Sequence, residues 1–411
     1  MYSAMLRRAL LWSAMPPTDS LAAPATQPDI DAVVRATSLA FAGAPDATEA
    51  WLRAAGLDNV RVLRDAGRPA ASLVRVPMGQ FFGGRSVPML GIAAVAVPPE
   101  RRGGGLARRL MIAALREAHA DGFALSTLYA STQAFYRQVG YEQAGLLFRT
   151  TLPLRTIGVR DRSLPVRPLD AGDERAVREC YNSFASRFNG TLDRGPYCWT
   201  RTRELRGDRY AGFGVVAPDA PGRLDGYVFF AQRRKPDSGR HDVAVSDIAF
   251  TNARAGKRLL GLLADLATVG DDAAFHGPPL HPLLTLMDQQ FHTSAFVDVW
   301  MLRIVRVREA LEARGYPAHA DATLTLDVSD DLTPDNAGPW TLRVRDGRAS
   351  VERATGMRTL RLSIRGLAAM YAGLYSASQT VALGLAEGDA GALAAADAIF
   401  ATNTPWMSDR F

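Results

Sequence analysis

The sequence predicts an α+β protein with two consecutive domains of mixed sheet and helices, followed by a smaller domain with an antiparallel sheet. Its 411 residues are more than one ordinary hydrophobic core can accommodate. A series of helices followed by strands occurs twice, before and after about residue 150. Towards the C-terminus the pattern changes to short strands with a hairpin signal, Asp346-Gly347. These three observations predict the fold class.

These changes of pattern divide the chain into four segments. We expect a disordered leader over residues 1–25 and domains over residues 26–150, 151–297 and 298–411. The leader carries two arginines ahead of the apolar run ALLWSAM, which is short for a signal peptide. A disordered leader or an upstream start codon explains it more simply, so we expect a cytoplasmic protein. No apolar run approaches the roughly 18 to 20 residues that a membrane span requires.

The first domain begins with two helices, in PDIDAVVRATSLAFAG and ATEAWLRAAG, and two strands, NVRVL and ASLVRV. Asp65, Ala66 and Gly67 join the strands and are typical of a tight turn. A further strand over residues 87–97 ends at two prolines. The glycine run of RRGGGLARRL comes next, and apolar residues then recur at helical spacing up to Gly122. The local order is therefore strand, glycine loop, helix.

A glycine run at the start of a helix combines two properties. Glycine allows positive φ and leaves backbone N–H groups unshielded, and a helix N-terminus adds unpaired N–H groups and the positive end of the dipole. Together they suit a phosphate or pyrophosphate. The spacing matches neither G-x-G-x-x-G nor G-x-x-x-x-G-K-[ST], but it fits R-x-x-G-x-A, from Arg102 to Ala107. A glycine turn without a ligand remains the alternative.

The segment after this helix, FALSTLYASTQAFYRQVGYEQAG, predicts a strand over residues 123–129 and a short helix from about residue 131. The helix ends in FYRQVGYE, which contains Tyr136, Gly140 and Tyr141. From the residues alone, Tyr136 could equally be a core tyrosine that packs its ring and hydrogen-bonds its hydroxyl.

The second and third domains follow from the same kind of pattern. The helix DERAVRECYNSFASRF, the strands GFGVVAP, DGYVFFAQRR and HDVAVSDIAFTN, and the helix RLLGLLADLA repeat the order of the first domain. Its glycine loop is replaced by ARAGKRLL, so we expect the same fold without a coenzyme site. The strands ATLTLDV, WTLRVRDGRASVER and RTLRLSI predict the third sheet, flanked by helices near residues 366–374 and 390–400.

Composition and charge exclude several classes of function. Cys180 and Cys198 show no CxxC spacing, and the six histidines form no HExxH pattern, so neither a zinc site nor a disulfide framework is indicated. The net charge of +6 is spread along the chain without a basic stripe, which gives no support for nucleic-acid binding. We therefore expect no metal and no nucleic acid as partners.

The glycine spacing resembles motif A of the GCN5-related N-acetyltransferases (GNATs), whose loop amides hold the pyrophosphate of acetyl-coenzyme A. Four fragments in this order, VAVPPERRGGGLARRLM, LYASTQAFYRQVGYE, WMLRIVRVREALEARGY and AIFATNTPWMSDRF, resemble the Eis (enhanced intracellular survival) family over nearly the whole chain after the leader. The resemblance implies two GNAT domains, the second without a coenzyme site, and a sterol-carrier-protein-like third domain. It further implies an acetyl-CoA-dependent N-acetyltransferase for aminoglycoside, polyamine or lysine-type amines, assembled as a homohexamer.

The resemblance also implies roles for individual residues. Tyr136 would be the general acid, the C-terminal carboxylate of Phe411 the general base, and Trp51 would stack on the acceptor. Without the resemblance, Phe411 would be taken for an ordinary frayed chain end. The coenzyme would contact strand residues for its pantetheine arm, the glycine loop for its pyrophosphate, and two hydroxyl residues: Val95, Ala96, Val97, Arg102, Gly103, Gly104, Gly105, Leu106, Ala107, Arg108, Ser131 and Thr132.

Three departures from the family pattern bear on the acceptor. Arg410 stands where the family's best-known form has an acidic residue before the terminal Phe, and Ala94 stands where a bulky aromatic is found. The loop in AFAGAPDATEAW also looks shorter. These differences predict a wider and less acidic pocket, which weakens the expectation of aminoglycosides as substrates.

Two alternatives to an enzyme remain open at this stage. The third domain on its own would fit a lipid-binding or carrier protein with a vestigial acetyltransferase fold. The missing glycine loop of the second domain shows how a catalytically silent interaction protein could arise. The intact RGGGLA and FYRQVGY motifs favour the enzyme.

Overall fold

The computed structural model describes residues 21–205, 207–354 and 359–411. Its first region begins with two helices packed against a sheet. Helix α1 starts at a capping box, in which Thr26 accepts from the Asp29 N–H and Asp29 accepts from the Thr26 N–H. The elements are β1 (Leu21–Ala22), α1 (Gln27–Phe41), α2 (Pro45–Ala55), β2 (Val60–Asp65), β3 (Arg68–Phe82), β4 (Arg85–Ala96), α3 (Leu106–Ala120), β5 (Leu125–Tyr129) and α4 (Gln133–Arg137).

The end of the predicted leader differs from the expectation. Its residues 1–20 lie outside the described residues, but Leu21 and Ala22 form β1 and pair antiparallel with Leu63 and Val62. Disorder up to residue 25 is therefore wrong for these two residues. Leu21 also packs against the apolar cluster between the sheet and α3, and this burial offsets the cost of ordering the backbone.

The second region repeats the arrangement with more strands. Its helix α7 corresponds to α3 in following a long strand of the sheet. The elements are β6 (Glu142–Pro153), β7 (Val166–Pro168), α5 (Glu174–Ala185), β8 (Leu192–Asp193), α6 (Pro196–Arg203), β9 (Glu204–Leu205), β10 (Asp208–Arg209), β11 (Ala211–Ala217), β12 (Ala220–Arg234), β13 (His241–Phe250), α7 (Ala253–Asp265), β14 (Gly270–Gly277) and β15 (Thr293–Ile304).

One large sheet runs through both regions in the order β1-β2-β3-β4-β5-β15-β6-β14-β13-β12-β11-β7, with β8 paired to β3. Strand β15 is the last strand of this sheet in sequence, yet it lies between β5 and β6 and is antiparallel to both. The division expected between residues 297 and 298 falls inside this strand. Because β15 is paired with β5 and β6 along its length, it is part of the large sheet and does not belong to the third domain.

The third region forms a separate five-stranded sheet. Its order is β18-β17-β16-β19-β20, and the expected all-antiparallel arrangement is wrong for β16 and β19, which are parallel. The chain reverses direction from β16 to β17 and again from β17 to β18. Strand β19 keeps the direction of β18, so it is parallel to β16 when it pairs with the free edge of β16. The elements are α8 (Val307–Ala313), β16 (Ala322–Ser329), β17 (Gly338–Arg345), β18 (Arg348–Arg353), β19 (Thr359–Ser363), α9 (Ile364–Ala372), α10 (Ala377–Ala382), β20 (Ala386–Gly388) and α11 (Ala390–Phe400).

The third region packs directly on the large sheet. One apolar cluster continues from Val87 and Trp300 of the large sheet to Leu326 and Tyr371 of the third region. A buried ion pair between Arg303 and Asp330, 2.7 Å apart, joins the same two parts. The chain end after α11 therefore starts from a fixed position. Among the helices in the described ranges, none is long and apolar enough to cross a membrane.

Candidate active site

Strands β4 and β5 pair only between the middle of β4 and the beginning of β5, and then separate. Their parallel register joins Met89 to Leu125 and Gly91 to Thr127, but both strands continue further. A bulge shifts the pairing of β4 with β3, and Ala94 has a φ of +49° at this bulge. The end of β4 thus turns away from β5. This opening, which we call the β4–β5 cleft, leaves strand edges whose N–H and C=O groups can bind an extended ligand.

The glycine loop lies at the carboxyl end of β4 and opens onto free space. Gly103 and Gly105 have positive φ, +85° and +75°. No described atom lies within 4 Å of an ideal Cβ on Gly103, Gly104 or Gly105. The sequence therefore provides backbone that a bulky ligand can approach closely, and glycine meets the φ requirement without strain.

Helix α3 begins directly after this loop, and its N-terminus differs from that of α7. Gly105 is the N-cap of α3 and offers no side chain to the first N–H groups. In α7 the Asn252 side chain accepts a hydrogen bond from the Ala255 N–H at 2.9 Å. The first turn of α3 can therefore direct its N–H groups and dipole at an anion, whereas Asn252 already occupies this position in α7.

The predicted coenzyme residues lie around the loop and the cleft. Val95 is partly exposed and Ala96 and Val97 are buried at the end of β4, while the side chain of Arg102 is exposed and its Nε donates to the Val97 carbonyl at 3.2 Å. Leu106 is buried, Ala107 half-buried and Arg108 exposed on the first turn of α3. Ser131 and Thr132 are exposed between β5 and α4. All twelve therefore border the ends of β4 and β5.

Tyr136 lies on α4 and is 7% exposed. Its ring packs edge-on against Phe135 and Tyr141, with centroids 4.9 and 6.0 Å away. Burial raises the pKa of Tyr136 to about 12, so its hydroxyl stays protonated near neutral pH. The hydroxyl of Tyr141, in contrast, shares a 2.7 Å hydrogen bond with Ser126. Tyr136 thus offers a proton donor for which the described residues provide no hydrogen-bond partner.

Phe411 lies in the β4–β5 cleft, far along the chain from either strand. An ideal Cβ on Gly91 would be 2.7 Å from Cε2 of Phe411 and would also collide with the methyl group of Met78. The ring of Tyr129 lies 6.2 Å from that of Phe411, and its hydroxyl donates to the Asp409 carbonyl at 3.0 Å. The expectation of a frayed end is thus wrong for Phe411, because its ring packs where β4 and β5 separate.

Trp51 packs against a residue of the second region, Tyr197. Its Nε1 donates to the Tyr197 hydroxyl at 2.5 Å, and Arg201 donates to the same oxygen at 2.8 Å. The neighbouring Cys198 sulfur is 3.8 Å from that of Met78. A continuous row of partly apolar groups therefore runs from Phe411 through Met78 to Tyr197 and Trp51.

Sequence reasoning missed Met78, Tyr129, Tyr197 and the tail contacts described below. None of them lies in a recognisable motif, and they meet only because the tail returns to the first region. The four-residue spacing of Tyr197 and Arg201 on α6 could have indicated a pair, but not its partner. Within the described ranges, no group of three or more His, Cys, Asp and Glu residues could hold a metal ion.

Three family models match the chain in the predicted order. Residues 22–144 and 190–304 each match an acetyltransferase (GNAT) domain, and residues 307–408 match a sterol carrier protein domain. An uncharacterized N-acetyltransferase of Streptomyces griseus is 28% identical over 92% of this chain and 96% of its own length. The N-acetyltransferase Eis of Mycobacterium tuberculosis is 27% identical over 88% of this chain and 91% of its own.

A solved structure extends the likeness to the whole fold. The GCN5-related N-acetyltransferase from Anabaena variabilis has 33% identity and a TM-score of 0.88, and the match covers 94% of this chain and 99% of that one. The α+β class with tandem GNAT domains and a sterol-carrier-protein-like C-terminal domain is thereby confirmed. The chain belongs to the Eis family of GCN5-related N-acetyltransferases.

Proposed function

We propose that the protein transfers the acetyl group of acetyl-CoA to an amine by direct attack. The observation that carries this proposal is the position of Phe411, whose ring packs beside Gly91 and Tyr129, near the point where β4 and β5 separate. In this proposal the glycine loop, α3 and Tyr136 would border the same cleft, so that a coenzyme site, an acid and a carboxylate would be available together. The family resemblance supports assembly as a homohexamer, and the short apolar run near the N-terminus supports a cytoplasmic location. Sedimentation of the purified protein tests the oligomer.

The coenzyme would bind through backbone groups. Its pantetheine arm would lie along Val95, Ala96 and Val97, where β4 has left β5 and its edge is free. Its pyrophosphate would lie on the loop and first turn from Gly103 to Arg108, since N–H groups and the helix dipole favour negative charge there. Arg102 would assist, and Ser131 with Thr132 would line the coenzyme.

The chemistry needs one base and one acid. A protonated amine has no lone pair, so the α-carboxylate of Phe411 would accept its proton, directly or through water. The neutral nitrogen would then form a bond to the thioester carbon, and the C–S bond would break as the tetrahedral intermediate collapses. Tyr136 would give its proton to the departing thiolate and would regain one through water, as the nitrogen loses its second proton to become the neutral amide. No covalent enzyme intermediate is needed, and holding both substrates makes the attack effectively intramolecular.

The acceptor would lie on the row from Phe411 to Trp51. Arg201 is next to Tyr197 and Arg410 is next to Phe411, so the site has less negative charge than polycationic amines prefer. Thiol release from acetyl-CoA, measured with a panel of aminoglycosides, polyamines, simple amines and lysine peptides, tests the proposal. Absence of thiol release with every acceptor, despite acetyl-CoA binding, would contradict it.

Replacing Trp51 should weaken acceptor binding. A cation on the face of a tryptophan contributes about 0.5 to 2 kcal/mol, so Trp51→Ala should raise KM for the acceptor by about 2- to 30-fold with little change in kcat. Trp51→Phe is the matched control, because it keeps a ring and loses the hydrogen bond to Tyr197. An unchanged acceptor KM in Trp51→Ala would show that the acceptor does not contact this residue.

Replacing Gly105 should weaken coenzyme binding. Valine at a φ of +75° strains the loop by about 1 to 3 kcal/mol, and its side chain would fill the space in front of the N–H groups. We expect Gly105→Val to raise the Kd for acetyl-CoA at least about tenfold, measured by calorimetry.

Gly384→Val is the matched control for this experiment. Gly384 has a φ of +69°, and nothing in the described chain lies within 4 Å of its ideal Cβ, but it is located in the third region. It carries a similar backbone strain without touching the proposed site. Equal coenzyme affinity in Gly105→Val and the wild type would count against this loop as the site.

A further inference from the structure

The C-terminal tail, residues 405–411, is hydrogen-bonded to the second region before it reaches the first. The Leu146 N–H donates to the Pro405 carbonyl at 3.1 Å, and the Met407 N–H donates to the Leu146 carbonyl at 3.4 Å. The Trp406 N–H donates to the Asn189 carbonyl at 3.0 Å. The tail therefore continues the large sheet at β6, beyond the last residue with which β14 pairs.

The second region has a cleft that corresponds to the β4–β5 cleft, and Trp406 lies in it. Strands β13 and β14 are parallel and pair only as far as Ala244 and Ala274, although both continue. The Trp406 ring is 4% exposed and packs against Phe188 and His281, with centroids 5.3 and 6.0 Å away. The cleft that would be a coenzyme site in an active GNAT domain is thus occupied by the tail.

A buried charge cluster fixes the tail three residues further on. Arg194 donates to Asp409 at 2.9 Å and to both oxygens of Asp247 at 2.6 and 2.9 Å. The Arg194 side chain is 1% exposed, Asp247 4% and Asp409 11%. The Tyr227 hydroxyl donates to Asp247 at 2.6 Å, and the Arg194 guanidinium lies 3.8 Å from the centre of the Tyr181 ring. Asp247 and the two tyrosines therefore hold Arg194 in one orientation.

We propose that the second domain serves as the receptor for the C-terminal tail and that Arg194 is the positioning residue for the terminal carboxylate. The inference rests on the proposed function, in which that carboxylate is the base. Trp406 anchors the tail, Arg194 holds Asp409, and Phe411 follows two residues later in the β4–β5 cleft. The second domain, in which Asn252 caps the first turn of α7, thus still contributes to the site of the first domain.

The charges explain why the tail depends on Arg194. One buried guanidinium faces two carboxylates, and a buried carboxylate without a partner is strongly disfavoured. If Arg194 is lost, Asp247 remains fixed in β13, whereas Asp409 can reach water by leaving with the chain end. We therefore expect Arg194→Met to release the tail. Asp409→Ala should do the same while leaving the Arg194–Asp247 pair intact, so it tests the inference even if Arg194→Met fails to fold.

Protection of the chain end from carboxypeptidase A measures this positioning directly. The enzyme removes a C-terminal phenylalanine and stops at arginine, so intact mass reports the loss of Phe411 alone. We expect Phe411 to be released at least about tenfold faster from Arg194→Met and Asp409→Ala than from the wild type. Acetyl transfer from acetyl-CoA to a lysine peptide should fall about 10²-fold in kcat in both, the usual effect of a misplaced catalytic group, with acetyl-CoA affinity unchanged.

Asp330→Asn is the matched control, because it disrupts an equally buried Arg–Asp pair that does not contact the tail. It should lower thermal stability while Phe411 stays protected. Protection of Phe411 in Asp409→Ala equal to the wild type would overturn the inference. Release of Phe411 from both tail variants would support the positioning role of Arg194, whatever the effect on kcat. If kcat were then unchanged, the result would contradict the proposed role of the Phe411 carboxylate as the base.

Discussion

Deleting Phe411 alone should remove most of the acetyl-transfer activity, about 10²- to 10⁴-fold in kcat. The deletion takes away the proposed base and leaves the new terminal carboxylate on Arg410, one residue back. Because Arg194 and Tyr129 hold Asp409 in place, the shortened tail cannot slide forward to compensate. Saturating acetyl-CoA during the assay keeps coenzyme binding from limiting the rate.

Three further proteins separate the carboxylate from the ring. A C-terminal affinity tag should be as harmful as the deletion, since it converts the carboxylate into a peptide carbonyl that accepts no proton near neutral pH. Phe411→Ala should be milder, because it keeps the carboxylate and loses only the packing of the ring beside Gly91 and Tyr129. An N-terminal tag should change little. Intact mass confirms which residue ends each protein, and equal activity with and without the C-terminal tag would place the base elsewhere.

Much of the first region could be predicted because its signals are local. A strand ended by prolines, a glycine run and an amphipathic series predict the order β4, loop and α3 from neighbouring residues alone. The turn of Ala66 and Gly67, both with positive φ, could be predicted from Gly67, which adopts this conformation without strain, whereas the positive φ of Ala66 could not. Most predicted bounds of this region differ from the observed ones by one or two residues, as is usual at element ends, but β3 starts three residues before the predicted ASLVRV and ends six residues after it.

The pairing of distant strands could not be predicted in the same way. The residues of β15 indicate a strand, but nothing in them specifies insertion between β5 and β6. The parallel pairing of β16 with β19 is likewise a property of the chain path. Charged residues have the same limitation, since Arg194, Asp247 and Asp409 lie far apart in sequence and form one cluster only when the tail returns. The position of Phe411 was therefore accessible only through family resemblance.

The pH dependence of kcat offers a first test of Tyr136. Burial raises its pKa to about 12, so the acid form persists throughout the neutral and moderately alkaline range. An activity that requires this proton should show no alkaline limb below about pH 10, where an unperturbed tyrosine would already lose its proton. If kcat fell above about pH 8 and the same fall were seen in Tyr136→Phe, the titrating group would be another residue.

Tyr136→Phe should lower kcat by about 10²- to 10⁴-fold and leave the Kd for acetyl-CoA nearly unchanged, because it removes a proton donor used only when the thiolate departs. Tyr141→Phe is the matched control. Its ring lies 6.0 Å from that of Tyr136, and its hydroxyl is hydrogen-bonded to Ser126 in the core. Losing that bond should cost about 1 kcal/mol of stability with near-normal kcat. If Tyr136→Phe instead lost stability and kept its kcat, Tyr136 would be a packing residue, and the thiolate would take its proton from water or another donor.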